Sequence, residues 1–244
     1  MPDRPLKVLT YNIHHAQGAD GVLDLERIAS VIEDSGADVI GLQEVDRHWS
    51  ARSNWEDQPA WLAERLDMHV AYAANLDLPP VNPGEPNRQY GTAILSRFPI
   101  KDFHNTLLPK YPGQEQRGLL EATISVRGKT MRLANTHLTH NNNAERLEQA
   151  QQVVQLLGSS QSATVLVGDL NARPDAPEII TLTSQWSDTW AEVGVGPGYT
   201  LEADNPTARI DYILHGEAVQ AGSAEVLDTL ASDHLPVLAN LTLS

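Results

Sequence analysis

Apolar residues in this chain gather into short runs that stop at amides, carboxylates or imidazoles. KVLTY runs into Asn12, DVIGL into Gln43-Glu44, RLANT into His137 and TVLVG into Asp169-Leu170-Asn171. Asp233-His234 precedes LPVLANL, and Asp211 lies inside RIDYIL. These runs predict strands over 7–13, 38–42, 92–95, 119–126, 130–138, 164–167, 210–214 and 235–241. Two short ones, 38–42 and 164–167, have the apolar character of strands covered on both faces.

Between the runs the period becomes helical. Asp24 can cap a helix that aligns Leu25, Ile28, Ala29, Val31 and Ile32 on one face, and Gly36 can end it. Residues 143–157 align Ala144, Leu147, Ala150, Val154 and Leu157 before Gly158. A shorter helix beginning near Asp57 presents Trp61, Leu62 and Leu66. Strand–helix–strand therefore occurs twice, ending once in Glu44 and once in Asp169, which predicts two related α/β units with active edges facing the same way. Ligands of such sheets sit at strand ends. Residues 74–90 hold four prolines and predict a loop, long enough to be functional or mobile.

Length and composition add limits. The 244 residues contain no Ser/Gly-rich linker, so a single domain over 1–244 is expected. A hydrophobic content of 41% is enough for a true core. No apolar run reaches the roughly eighteen residues of a membrane span. The start, MPDRPLKVLTYN, enters a strand at once and leaves no room for a signal peptide, so a cytoplasmic location is expected. Without cysteine there are no disulfides and no thiolate metal sites. Net charge is −15, from 17 basic and 32 acidic residues, and four of the basic residues are lysines. Duplex DNA binding calls for a basic stripe that neutralises several phosphates, and none is visible. The acidity serves solubility and disfavours a long polyanionic substrate.

The polar clusters are hard and oxygen-rich, a set that suits Mg²⁺- or Mn²⁺-assisted chemistry on phosphate. Singly they have plainer explanations. Asn12 can be a turn residue, Glu44 a solvated strand end, His137 and His140 surface groups. Their coincidence at strand edges is what points to a site. In Gly168-Asp169-Leu170-Asn171 a period of two puts Asp169 and Asn171 on one side, with the glycine allowing close approach. The carboxylate could activate a water that the amide orients; an ordinary turn is the alternative. Asp233 and His234 are adjacent and point apart, so the imidazole needs another acid. Asp211 can serve, and would keep His234 charged as a donor to a phosphoryl oxygen. The alternative is a core pair between Asp211 and Arg209.

The ordered segments LTYNIHH, DVIGLQEVD, YGTAILSRFPI, NTHLTH, VGDLNARPD, ARIDYIL and SDHLPV, spread over 9–241, resemble the endonuclease/exonuclease/phosphatase superfamily. That superfamily includes pancreatic-type deoxyribonucleases, abasic-site endonucleases, neutral sphingomyelinases and inositol-polyphosphate phosphatases. The resemblance implies a four-layered α/β sandwich with two central mixed β-sheets. It implies Mg²⁺ or Mn²⁺ on Glu44, helped by Asn12 and Asp233. Asp169 would take a proton from the attacking water and Asn171 would orient water or phosphate. His137 and His234 would donate to phosphoryl oxygens, with Asp211 holding His234. Arg117 and Tyr90 fall where the family places groups that contact substrate, whereas Arg97 reads as structural. Arg209-Ile210-Asp211 replaces the Trp-Cys-Asp of the inositol-polyphosphate phosphatases, and Ala172-Arg173-Pro174-Asp175 departs from the abasic-site nucleases. The opening YNIHHAQGADGVLDLERIA is most similar to small bacterial metal-dependent hydrolases.

The expected function is a divalent-metal-dependent phosphoesterase acting on a phosphodiester of modest size, a small molecule or a lipid head group. The rivals are an abasic-site or general deoxyribonuclease and an inactive binding module of the same fold. The expected pocket is rimmed by the 46–58 and 74–90 loops. Trp49, Trp55, Trp186 and Trp190 could form an apolar lip or pack locally.

Overall fold

Burial explains where each strand begins. In β1 (Arg4–Asn12) exposed and buried positions alternate as far as Lys7, and every residue from Val8 onward is buried. β2 (Val39–Arg47) and β8 (Thr164–Asp169) are covered on both faces. The computed structural model describes residues 4–158 and 163–244. The expected leader-free start falls partly outside these residues.

The three longest helices begin where side chains cap them. Asp24 accepts from the Arg27 amide ahead of α1 (Leu25–Ser35), and Gly36 ends it with φ 63°. That left-handed turn suits glycine at a helix C-terminus. Asp57 caps α2 (Gln58–Leu66) and Asn142 caps α3 (Asn143–Leu157). Two shorter helices, α4 (Pro177–Thr183) and α5 (Thr189–Val193), follow β8.

The remaining strands are β3 (His69–Leu78), β4 (Arg88–Ser96), β5 (Ile100–Leu107), β6 (Gly118–Val126), β7 (Lys129–His137), β9 (Ser187–Asp188), β10 (Asp211–His215), β11 (Val219–Val226) and β12 (Val237–Leu243). Among the described residues they form two six-stranded sheets, ordered β11-β12-β1-β2-β4-β3 and β5-β6-β7-β8-β10-β9. Each is mixed. β1 and β2 are parallel across the α1 crossover, β7 and β8 across α3, and the other pairs are antiparallel. Helices α1 and α2 cover one outer face through Ile28, Ile32 and Leu62. Helices α3 and α4 cover the other through Ala150, Val153 and Ile179. Val8, Val39, Leu133, Val167 and Ile213 fill the space between the sheets. The result is the four-layered α/β sandwich. No helix among the described residues is long and apolar enough to cross a membrane.

The expected 74–90 loop is shorter than its prolines suggested. β3 and β4 extend into it as a hairpin, pairing Leu76 with Tyr90 and Leu78 with Arg88, so only 79–87 connects them.

A buried polar pair joins the sheets behind the strand ends. Gln43 Nε2 donates to Asn135 Oδ1 at 2.8 Å and to Thr10 Oγ1 at 3.1 Å. Asn135 Nδ2 donates to the carbonyls of Ala93 and Leu42 at 2.8 and 2.9 Å. Both side chains are fully buried. Asn135→Ala would strip partners from two carbonyls and the Gln43 amide where water cannot replace them. The expected loss is about 3 kcal/mol or more in urea unfolding. A loss below about 1 kcal/mol would show that the pair is not a structural tie.

Candidate active site

The register sets the site. Asn12, the last residue of β1, pairs with Gln43 in the middle of β2, where the parallel ladder ends. His137 pairs with Asp169 at the ends of β7 and β8, and Asp169 pairs with Asp211 at the start of β10. The β2–β4 ladder slips between Leu42 and Val45, and Glu44 takes a left-handed φ of 55°. Such a bulge re-aims side chains: Gln43 is buried between the sheets, and Glu44 is half-buried. Gly168 has no substitute, because a Cβ there would lie 2.1 Å from the Thr136 carbonyl oxygen.

Asp169 is the focus. Its Oδ2 accepts from Asn12 Nδ2 at 3.0 Å and has His137 Nε2 at 3.4 Å and His234 Nε2 at 3.7 Å. Its Oδ1 accepts from the Asn171 amide at 3.0 Å. Burial first, then the neighbouring Asp211 carboxylate and more weakly Glu44, push the Asp169 carboxyl up to about 7 against the pull of His234 and Asn12. Asn12 Nδ2 also reaches Glu44 Oε1 at 3.1 Å. The His14 amide donates to Asn12 Oδ1, which fixes which end of that amide faces the site. Asn171 donates one of its two side-chain N–H groups to the Leu138 carbonyl, leaving its oxygen free to accept.

His234 and Asp211 are in contact. Asp211 Oδ2 lies 2.9 Å from His234 Nδ1 and accepts from Thr200 Oγ1 at 2.6 Å. Arg209, the alternative partner, instead donates to both oxygens of Asp188 and stacks over Tyr212. Burial works against charge on His234, but Asp211 and Asp169 outweigh it and raise the imidazole from 6.5 to about 10. A raised folded pKa contributes stability that is fully present below 6.5 and lost as pH climbs through about 10. Asp211→Asn should bring the His234 titration, followed by NMR in chelator, down by at least one unit from the wild-type value. An unchanged midpoint would remove Asp211 from that role.

His137 differs. A guanidinium can only donate, so the 2.8 Å contact from Arg117 Nη1 makes His137 Nδ1 an acceptor and leaves the proton on Nε2. Burial, then Arg117 and His234, hold this imidazole well below its ordinary value. Arg117 is itself buried and lies 3.1 Å from Glu115. Tyr90 is buried within electrostatic reach of Glu44 and Arg117. It packs on Trp49 with ring centroids 5.8 Å apart, and Arg52 lies over both rings. Residues of the 46–58 and 79–88 segments line a cavity of about 420 Å³, among them His48, Trp55, Val81, Asn82, Glu85 and Arg88. Trp186 is buried in the α3–α4 layer, Trp190 packs toward the inter-sheet core and Trp49 packs on Tyr90, so of the four tryptophans of the expected lip Trp55 alone lines this cavity.

Among the described residues two groups have metal-ligating chemistry. Asp169, Asp211 and His234 form one, but their facing atoms already engage one another, Asn12 and Thr200. The other is Glu44 with His14 and His15. The two histidines were not anticipated as site residues; their signal was the HH directly after the Asn12 strand end. Burial first, then Arg52 and His14, lower the His15 pKa. Asp233 stands at the rim, 41% exposed and 3.7 Å from His14 Nδ1. The oxygens of Glu44 and Asp233 suit a hard divalent ion, while Asn12 presents its N–H end to Glu44 and would have to turn its amide to join them.

Known proteins share this architecture. A structure from Beutenbergia cavernae DSM 12333, described as an endonuclease/exonuclease/phosphatase, superposes with a TM-score of 0.82 at 30% identity, over 99% of this chain and 72% of that one. The mannosyl-6-phosphatase Bt3783 of Bacteroides thetaiotaomicron VPI-5482 gives 0.77 at 20% identity, over 97% and 99%. The uncharacterized protein YbhP of Escherichia coli K12 is 27% identical over all of both chains. The model of the Endonuclease/Exonuclease/phosphatase family matches residues 9–234, from the strand that delivers Asn12 to the imidazole of His234. On that match the chain belongs to the endonuclease/exonuclease/phosphatase family.

Proposed function

We propose that this protein is a divalent-metal-dependent phosphoesterase that hydrolyses a phosphodiester of modest size by attack of water. The observation that carries the proposal is the convergence of Asn12, His137 and His234 on one oxygen of Asp169, beside Glu44. The two imidazole Nε2 groups among them suit an anionic phosphoryl group whose charge grows in the transition state.

Asp169, held near neutrality, takes the proton of the attacking water. The free side-chain oxygen of Asn171 accepts from that water and orients it. His234 donates to a phosphoryl oxygen from Nε2 while Asp211 holds Nδ1. His137, neutral and fixed by Arg117, offers a second Nε2–H. A Mg²⁺ or Mn²⁺ ion held by Glu44, with Asp233 and a turned Asn12, would polarise the phosphate.

Charge favours a small substrate over duplex DNA. Arg47 pairs with Asp57, Arg52 with Asp46 and Arg117 with Glu115, so these arginines form no free basic stripe. The cavity between the 46–58 and 79–88 segments suits the alcohol part of one head group, with Trp55, Val81 and Pro86 as its apolar side. Because one structural relative is a mannosyl-6-phosphatase, phosphomonoesters are a necessary comparison.

The test is turnover of small phosphodiesters, phosphomonoesters, lipid head groups and plasmid DNA with Mg²⁺ or Mn²⁺, each at low and high salt. Turnover of small diesters with little salt response is expected. Efficient, strongly salt-sensitive cleavage of duplex DNA would promote the nuclease alternative. No turnover of any of them would favour a binding module.

A further inference from the structure

We propose that His14, His15 and Glu44 form a nitrogen-rich site for a borderline divalent transition ion of the Zn²⁺ class. The inference goes beyond the hydrolytic proposal and shares only Glu44 with it.

Adjacent side chains on a strand point apart. Here His14, His15 and Ala16 all take positive φ, at 46°, 44° and 68°, and the two rings meet edge to face with centroids 4.5 Å apart. Left-handed backbone is unfavourable for each of these non-glycine residues and persists where surrounding structure imposes it. One ring nitrogen from each histidine and a carboxylate oxygen of Glu44 lie within 4.8 Å of one another. Ligands on a tetrahedral Zn²⁺ with bonds of about 2.0–2.1 Å stand about 3.4 Å apart. Closure therefore takes a rotation of the half-buried Glu44 and His14 side chains, not a movement of the fold.

Gln17 prepares both imidazoles. Its carbonyl oxygen lies 3.2 Å from His14 Nδ1 and can only accept, so that nitrogen carries the proton and Nε2 keeps a bare lone pair. Its side-chain amide donates to the Gly21 carbonyl at 3.3 Å, which turns Oε1 toward His15 Nε2 at 3.2 Å. His15 Nε2 then carries the proton and Nδ1 is bare. That Nδ1 is buried without a hydrogen-bond partner, on a side chain of a residue only 6% exposed. A ring whose second nitrogen donates to a carbonyl or amide oxygen is oriented and made more basic as a metal ligand. The Gln58 amide further anchors the turn through the His15 carbonyl at 2.8 Å. Two imidazoles and one carboxylate favour Zn²⁺, Co²⁺, Ni²⁺ or Cu²⁺ over Mg²⁺.

The test is calorimetric titration of the full-length protein with Zn²⁺ alone and with Mg²⁺ alone, for wild type, His14→Ala and His15→Gln. One Zn²⁺ should bind wild type. Each variant should weaken Zn²⁺ binding by about 10-fold or more and leave Mg²⁺ binding unchanged. Wild type without Zn²⁺ binding, or unchanged Zn²⁺ affinity in either folded variant, overturns the proposal. So does an equal loss of Mg²⁺ affinity, which would make the histidines props for an oxygen site. Should His15→Gln fail to fold, His14→Ala decides, because the His14 side chain is 32% exposed. Turnover is not read in this experiment, so a failure of the phosphoesterase proposal leaves its outcome intact.

Discussion

Asp169→Asn should lower kcat by about 10³-fold, some 4 kcal/mol of barrier, while the fold survives. The substituted side chain keeps an oxygen for the Asn171 amide but cannot take a proton from water. Two effects on stability oppose each other: the new amide N–H group meets the Asn12, His137 and His234 donors that converged on Oδ2, and a buried charge is removed. A carboxylate whose folded pKa is raised from 3.8 to about 7 binds protons more tightly folded than unfolded, so its ionisation weakens the fold as pH rises through that window. The neutral amide of the variant carries no such charge above that window. Steady-state rates on a small phosphodiester, beside a melting curve in chelator, make the comparison. A kcat within about tenfold of wild type at saturating metal would remove Asp169 as the base and leave His234 to be tested in that role.

How much of this was legible in the chain follows from burial. The central strands β1, β2, β7 and β8 are mostly covered on both faces, so they read as apolar runs, and the polar residues that end those runs gather at the candidate site. The strands that escaped, β3, β5, β9 and β11, lie at the four sheet edges. β5 is exposed at most positions and β11 is half-exposed, so neither needs an apolar run. Prolines 79, 80, 83 and 86 hid the hairpin arms because pairing, not local propensity, carries Leu76 and Leu78 into β3. At the site, the residue types were visible but not their bonds. Nothing local in the sequence says that Arg209 turns to Asp188 and leaves Asp211 to His234, or that Asn12 offers its N–H end to Glu44. His14 and His15 went unread as ligands because only a left-handed turn brings neighbouring side chains together.

Glu44→Ala should abolish activity, with a loss of at least about 10³-fold, and should abolish stabilisation by Mn²⁺ as well. The fold can tolerate the change. Glu44 is half-buried, and its hydrogen bond is to Asn12, which keeps its second bond to Asp169. Alanine at φ 55° meets the same left-handed penalty as glutamate, so the bulge changes little in relative cost. The unfolding midpoint in chelator should therefore stay near wild type. Added Mn²⁺ should then separate the two proteins. A ligand at 100 times its Kd stabilises the folded state by about 2.7 kcal/mol, a rise that wild type should show and the variant should lack. Glu44→Asp is the sharper control, because it keeps the charge and withdraws it by about one methylene. If metal coordination is the role, Glu44→Asp should recover part of the Mn²⁺ stabilisation and part of the rate together. If Glu44 only props the Asn12 amide, Glu44→Ala should bind Mn²⁺ as wild type does and lose rate alone, and the metal would have to be sought at another carboxylate.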